Sequence, residues 1–200
     1  MLGDNDEFSQ THYCPNIFPL FACYLGFYHV LTRVPIPTKQ TTTEEDFYVG
    51  GAVVSVGEGT IIANESVFLF NKVEGGNGGV FLSNKRVELH GCHFIHNSAL
   101  IGGVVYAAQL EVYNSTFETN EATAGGAIQI TGGNSIIAGS KFMHNSAMLG
   151  AAVSVNNHSG SNSTGPTLTL LHSHFEEHAG VAVYVEAKHL VVDHCVFKYE

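Results

Sequence analysis

Tryptophan is absent from this 200-residue chain, and lysine and arginine together number eight against eighteen aspartates and glutamates. The net charge of −10 argues against nucleic acid as a partner, because a phosphate backbone is held by a basic patch that so few cations cannot build. Neutral and basic partners stay open. Charged residues make up 13% of the chain, about half the usual share. With little Leu, Lys or Arg to favour helices, such a composition suits short strands and tight turns. The apolar runs of the chain also fit poorly to an export signal or a membrane span. Ile17 to Val30 comes nearest, but Asp4, Asp6 and Glu7 precede it where a signal needs positive charge. The run is also shorter than the about 20 residues a spanning helix needs, and it contains Pro19 and His29.

What the chain has in abundance is glycine, 22 residues of it, and a repeated phrase. Phe-x-x-Asn occurs as Phe68–Asn71, Phe94–Asn97, Phe117–Asn120 and Phe142–Asn145. Two degraded copies follow, Phe175–His178 and Phe197–Glu200. Between them comes a glycine pair followed by small or β-branched residues: Gly50–Val53, Gly78–Phe81, Gly102–Val105, Gly125–Ile128 and, as Gly-Ala, Gly150–Val153. A period of this size means a solenoid, each repeat burying its face only by stacking on its neighbours.

The Phe positions are spaced by 26 (68 to 94), 23 (94 to 117), 25 (117 to 142), 33 (142 to 175) and 22 (175 to 197). The long interval holds the polar stretch Asn156–Gly165, expected to bulge from one corner as a loop. Before each Phe the apolar residues alternate, as in Val87 and Leu89, Leu110 and Val112, Leu168 and Leu170, and Leu190 and Val192. That period of two marks a strand with one buried face. Further short runs follow the glycines, such as Ala127–Ile130 and Ala152–Val155. Each coil is expected to hold two clear strands and a weaker third.

Equivalent strands run the same way, so they pair in parallel, and the segments between them are too short for helical crossovers. The expected fold is all-β: a right-handed single-stranded parallel β-helix of about six coils with an irregular N-terminal segment. Residues 1–46 form the irregular head and linker, in which Ile17–Val30 is either a cap on the first coil or a segment left by an incomplete gene model, and residues 47–200 form the repeats. The phenylalanines are expected to stack inside and the asparagines to form a ladder in the turn. Glu200 falls in the turn of a sixth coil and leaves an open parallel edge, so the chain is expected to be a fragment or to stack on something else.

Four cysteines do not make a disulfide framework. Cys92 and Cys195 stand two residues before their Phe, in a column otherwise made of Ser66, Ser115, Ser140 and Ser173. Four coils at about 4.8 Å each put these two cysteines roughly 19 Å apart, beyond bonding reach. They read as small buried residues of a Ser/Cys row. Cys14 and Cys23 lie in the head, where nothing requires them to pair.

The interleaved Phe-x-x-Asn and Gly-Gly-Ala-[Ile/Leu/Val] series, from about Gly50 to Glu200, resembles the repeat of the chlamydial polymorphic membrane proteins. Four Phe-x-x-Asn copies match fully, and Gly50–Val53 and Gly125–Ile128 keep the full glycine form. The resemblance implies an autotransporter-like β-helical passenger with an adhesive role, located at the cell surface or outer membrane or outside the cell. It implies a protein or glycan partner on another surface, and membrane association through flanking segments. No membrane barrel and no export signal is readable within these 200 residues.

β-Helices also host polysaccharide lyases and hydrolases, so a pectate-lyase-like enzyme or a polysaccharide-binding domain is the alternative, by analogy of fold alone. Such catalysis needs paired carboxylates or a Ca²⁺ site with a base. Asp193 is the single Asp of the repeats and Arg86 the single Arg; Glu88 and Glu111 share a column, expected to face solvent, and Glu176 and Glu177 share a turn. Histidines cluster at His90-x-x-His93-x-x-His96, at His172, His174 and His178, and at His189 and His194. Stacking would bring His172 and His194 within about 4.8 Å, but no Cys or Asp is expected to complete a ligand set. No catalytic, cofactor-binding or metal-binding residue is therefore assigned, and no cofactor. Of four Asn-x-Ser/Thr sequons, Asn157 and Asn162 fall in the loop, where a glycan could be accepted, and Asn64 and Asn114 are expected on strands.

Overall fold

The structure, a computed structural model, describes residues 53–55, 59–156 and 165–199. The head at 1–46, its run Ile17–Val30, Cys14 and Cys23, and the loop sequons Asn157 and Asn162 lie outside the described residues.

In chain order the strands begin with β1 (Val53–Ser55), β2 (Thr60–Asn64), β3 (Val67–Leu69), β4 (Phe81–His90) and β5 (His93–Ile95). Next come β6 (Val105–Tyr113), β7 (Thr116–Glu118), β8 (Ile128–Ile130), β9 (Asn134–Ala138) and β10 (Lys141–Met143). The last are β11 (Val153–Val155), β12 (Thr167–Leu171), β13 (His174–Glu176), β14 (Val183–Val185), β15 (His189–Asp193) and β16 (Val196–Lys198). Pairing is parallel throughout, and no strand pairs with its sequence neighbour. Among the described residues no helix is long and apolar enough to cross a membrane.

Each coil has three sides. The third is a six-stranded sheet of β3, β5, β7, β10, β13 and β16. The first and second belong to one ten-stranded sheet folded around a corner, because β4 and β6 run through that corner while the other coils break there into two strands. The third strand per coil, expected to be weak, pairs in as regular a register as the others. Coil-length differences are absorbed locally: a bulge between Ser83 and Arg86 takes up one extra residue of β4, which bends a strand without disturbing the coils beyond.

Inside the prism, like stacks on like. Phe68, Phe94, Phe117, Phe142, Phe175 and Phe197 form one column with ring centroids 4.7–5.1 Å apart and nearly parallel planes. Phe81 meets Phe68 and Phe94 edge-on. Aromatic pairs contribute about 0.5–1.5 kcal/mol each beyond the area they bury. Val87, Leu89, Leu110, Val112, Ile137, Leu168 and Leu170 fill the space opposite and are wholly buried.

The asparagines after the phenylalanines form the expected ladder, wholly inside. Asn97 Oδ1 accepts from the backbone N–H of Asn71 at 3.0 Å and from its Nδ2 at 2.9 Å. Asn120 does the same for Asn97, and Asn145 for Asn120. The amides of Asn97, Asn120 and Asn145 also donate to the carbonyls of Phe68, Phe94 and Phe117. Buried turn groups that strand pairing leaves open are thus satisfied by side chains. A second ladder links Cys92, Ser115, Ser140 and Ser173, each backbone N–H donating to the next serine Oγ at 3.1–3.2 Å. Cys92 is therefore the small buried member of a serine row, as read from the sequence, and burial pushes its thiol pKa up.

Turning a chain this tightly needs left-handed backbone at fixed phases. The residue before each ladder Asn adopts it in every coil: Phe70, His96, Thr119 and His144, with Glu177 before His178, have φ of 53–55°. None of these is glycine, so the strain is held by the packing around them. At the glycine pair the requirement differs. Gly102 has φ of 65°, whereas a Cβ on Gly103 would run into the carbonyl oxygen of Gly126 one coil on. The first glycine is there for its conformation, and the second for close approach of two backbones.

Candidate functional surface

With a solid core, any function of the described coils sits on their outer faces. The first side is not one of them. Its outward row Leu82, Tyr106, Gln129, Ser154 and Tyr184 runs in register, yet Leu82, Gln129 and Ser154 are only 1–2% exposed. Gln129 Nε2 donates to Asn156 Oδ1 at 2.7 Å. The runs Ala127–Ile130 and Ala152–Val155 alternate in sequence but are buried on both faces, so outward pointing does not mean available here.

The second side carries the densest polar chemistry. Glu88 and Glu111 face outward from adjacent coils in direct register. Arg86 lies against both, its Nε 2.9 Å from Glu88 and its terminal nitrogen 2.7 Å from Glu111. The sequence expectation of two solvated rungs needs one amendment: the carboxylates are about a fifth exposed and tied by one guanidinium. The Tyr113 hydroxyl donates to Glu111 Oε2 at 3.4 Å, and its ring stacks on His90 at 5.1 Å. Lost hydration and the Glu111 charge hold the Tyr113 phenol above its usual pKa.

On the third side and its turn, ion pairs also run along the helix axis. Lys141 reaches Glu176 at 2.8 Å, and the hydrogen bond it donates lowers the carboxyl pKa. His144 lies 3.2 Å from Glu177, and His96 stacks on Phe70 at 5.1 Å. Glu176 and Glu177, adjacent in sequence, therefore point to different partners on the previous coil and share no cleft. One hollow of about 240 Å³ lies beside the sixth coil, lined by Phe175, His178, Val181, Phe197, Lys198 and Tyr199. None of its described lining residues is a carboxylate.

The histidine clusters of the sequence come apart in three dimensions. His90 lies on the second side, His93 faces outward from the third, and His96 occupies the left-handed turn. His178 is a departure from the expected exposed, unremarkable histidines: it is 6% exposed, at the head of the asparagine ladder. His172 and His194 do stack, with centroids 4.9 Å apart. The expectation that no Asp joins them fails, because Asp193 Oδ1 is 2.7 Å from His194 Nδ1. Asn64 ends β2 as expected, whereas Asn114 sits just past β6 in a left-handed turn and is exposed.

A family model described as a right handed beta helix region matches residues 45–197. No curated protein matches the chain, and no solved structure does.

Proposed function

The chain belongs to the right-handed beta-helix family, and from that premise we propose that it is a non-enzymatic surface or extracellular module that binds a protein or glycan on another surface. The observation that carries the proposal is the state of its outward carboxylates. Glu88 and Glu111 share Arg86, Glu176 is held by Lys141, and Glu177 faces His144. Hydrolysis by a carboxyl pair needs one acid free to give a proton and another free to attack or to activate water, on either side of a bound sugar. Carboxylates tied to a neighbouring guanidinium, ammonium or imidazole on an outer face do not offer that arrangement. What they do offer is a regular array of charge and hydrogen-bonding groups repeated at about 4.8 Å per coil.

Two further considerations support the reading. The Phe-x-x-Asn and Gly-Gly series resembles that of the chlamydial polymorphic membrane proteins, whose passengers are adhesive, which favours a place at the cell surface or outside the cell. The regularly repeated outer rows of the second and third sides suit contact with an extended partner laid along the axis. Binding is tested by applying the purified chain to a panel of polysaccharides and to cell surfaces, scoring retained protein and released oligosaccharide together. Retention without release is the expected outcome, and it should weaken when Glu111 and Gln109 on the second side are replaced by lysine. Released sugar that disappears in Glu88→Gln or Glu111→Gln would establish a carbohydrate-active enzyme instead.

A further inference from the structure

We propose that His172, Asp193 and His194 form a binding site for a divalent transition-metal ion, with Zn²⁺ as its probe, and that the bound ion clamps the sixth coil onto the fifth. The three residues meet because of register. β12 pairs with β15 so that Leu171 lies opposite Asp193, which sets His172 beside His194 in the turn that follows. Both histidines have left-handed backbone, with φ of 48° and 50°. The backbone N–H of His172 donates to the carbonyl of Asp193 at 2.9 Å, fixing the two turns against each other.

The side chains then converge. The imidazoles stack at 4.9 Å with planes 30° apart, and Asp193 Oδ1 lies 2.7 Å from His194 Nδ1. One ligand atom from each residue falls within 4.8 Å of the other two, and among the described residues no other such group of three occurs. Bonds of about 2.0–2.2 Å to a central ion require the rings to rotate and draw together. His194 and Asp193 are 72% and 55% exposed, so little packing opposes that motion. Two imidazoles with one carboxylate is a ligand set suited to Zn²⁺ and its neighbours in the first transition row, with water filling the remaining position.

Nothing in the repeat calls for this cluster. At the same two phases the earlier coils carry Asn64 and Glu65, His90 and Gly91, Tyr113 and Asn114, and Ala138 and Gly139. Glutamate, glycine and asparagine meet the left-handed requirement there without imidazoles, so backbone conformation does not explain two histidines beside an aspartate. The consequence of binding follows from the fold. His172 belongs to the fifth coil and Asp193 and His194 to the sixth, so an ion held by all three joins coils otherwise linked through parallel strand pairs and the stacked Phe175 and Phe197.

The test uses the full chain freed of any affinity tag, titrated calorimetrically with Zn²⁺ alone. One ion is expected at this site, with affinity falling about tenfold or more in His172→Ala and in His194→Ala. His174→Ala, on the outer face of β13, should leave that affinity unchanged. All these side chains are exposed, so circular dichroism should report an unaltered fold in each variant. In the wild type Zn²⁺ should slow amide hydrogen exchange in β15 and β16, and in His194→Ala it should not. Failure to bind Zn²⁺, or binding unchanged in the two histidine variants, would overturn the site. Binding without slowed exchange would overturn the clamp.

Discussion

His178 Nδ1 accepts the backbone N–H of Asn145 at 3.2 Å, in the place where each lower rung of the ladder presents an asparagine oxygen. The substitution keeps the acceptor and adds a titratable group. It leaves the other ring nitrogen, Nε2, buried with no hydrogen-bond partner. Burial is the main cause that brings the His178 pKa from 6.5 down to about 4.

That shift makes stability depend on pH. The folded pKa lies below the unfolded one, so the unfolded chain binds more protons between pH 6.5 and 4. The folded state therefore has its full advantage above pH 6.5 and loses it as pH falls towards 4, by roughly 3 kcal/mol. Urea unfolding at pH 7 and pH 4.5 should show this loss in the wild type and a much smaller one in His178→Asn. Equal losses in both would remove His178 from the account.

Asn120 is the central rung of the ladder. Asn120→Leu preserves its bulk but strips the acceptor from the Asn97 backbone and side-chain N–H groups and the donor from the Phe94 carbonyl. Leaving several buried groups unpaired should cost about 3–5 kcal/mol. A denaturant midpoint matching wild type would show the ladder to be dispensable.

The turns should respond in opposite directions to two substitutions. Thr119 is β-branched yet holds φ of 54°; Thr119→Asn relieves that conformation and should raise stability by about 1 kcal/mol. Gly103→Ala places a methyl group against the backbone oxygen of Gly126 and should cost about 2 kcal/mol or more, because backbone must move. Thermal melts of the two single variants decide both signs.

On the second side, Arg86→Ala leaves Glu88 and Glu111 facing each other on adjacent strands without their shared cation. The groups are partly exposed, so the cost should be modest, about 1 kcal/mol, and smaller in high salt. Adding Glu111→Gln should recover part of it. A double-mutant cycle showing additive effects would mean that the three residues are not coupled.

Much of this was legible before any coordinates. The Phe column and the asparagine ladder follow from the spacing of Phe-x-x-Asn, and the Ser/Cys row from residues two places before each Phe. Other features were not legible. The third strand of each coil is only three residues long, as in β7 and β10, too short for alternation to announce it. The burial of Gln129 and Ser154 on an outward row gives no sign in a polar residue's position. His178 looked like a lapse of the motif because its role depends on a hydrogen bond from the coil below. Asp193 looked isolated because its partners lie beside it and 21 residues back, at His194 and His172.

The sequence by itself determined every relation between residues of equal phase. In a single-stranded parallel stack, equivalent positions must lie one coil apart, so a period in the chain is also a contact in space. Relations between different phases were decided by the tertiary structure alone. Whether Arg86 reaches both glutamates, or Asp193 meets the imidazoles of two coils, depends on side-chain direction and on the strand register left after bulges and loops absorb unequal coil lengths. Those quantities have no signature in residue order, because a shift of one residue would turn each of these side chains to another face.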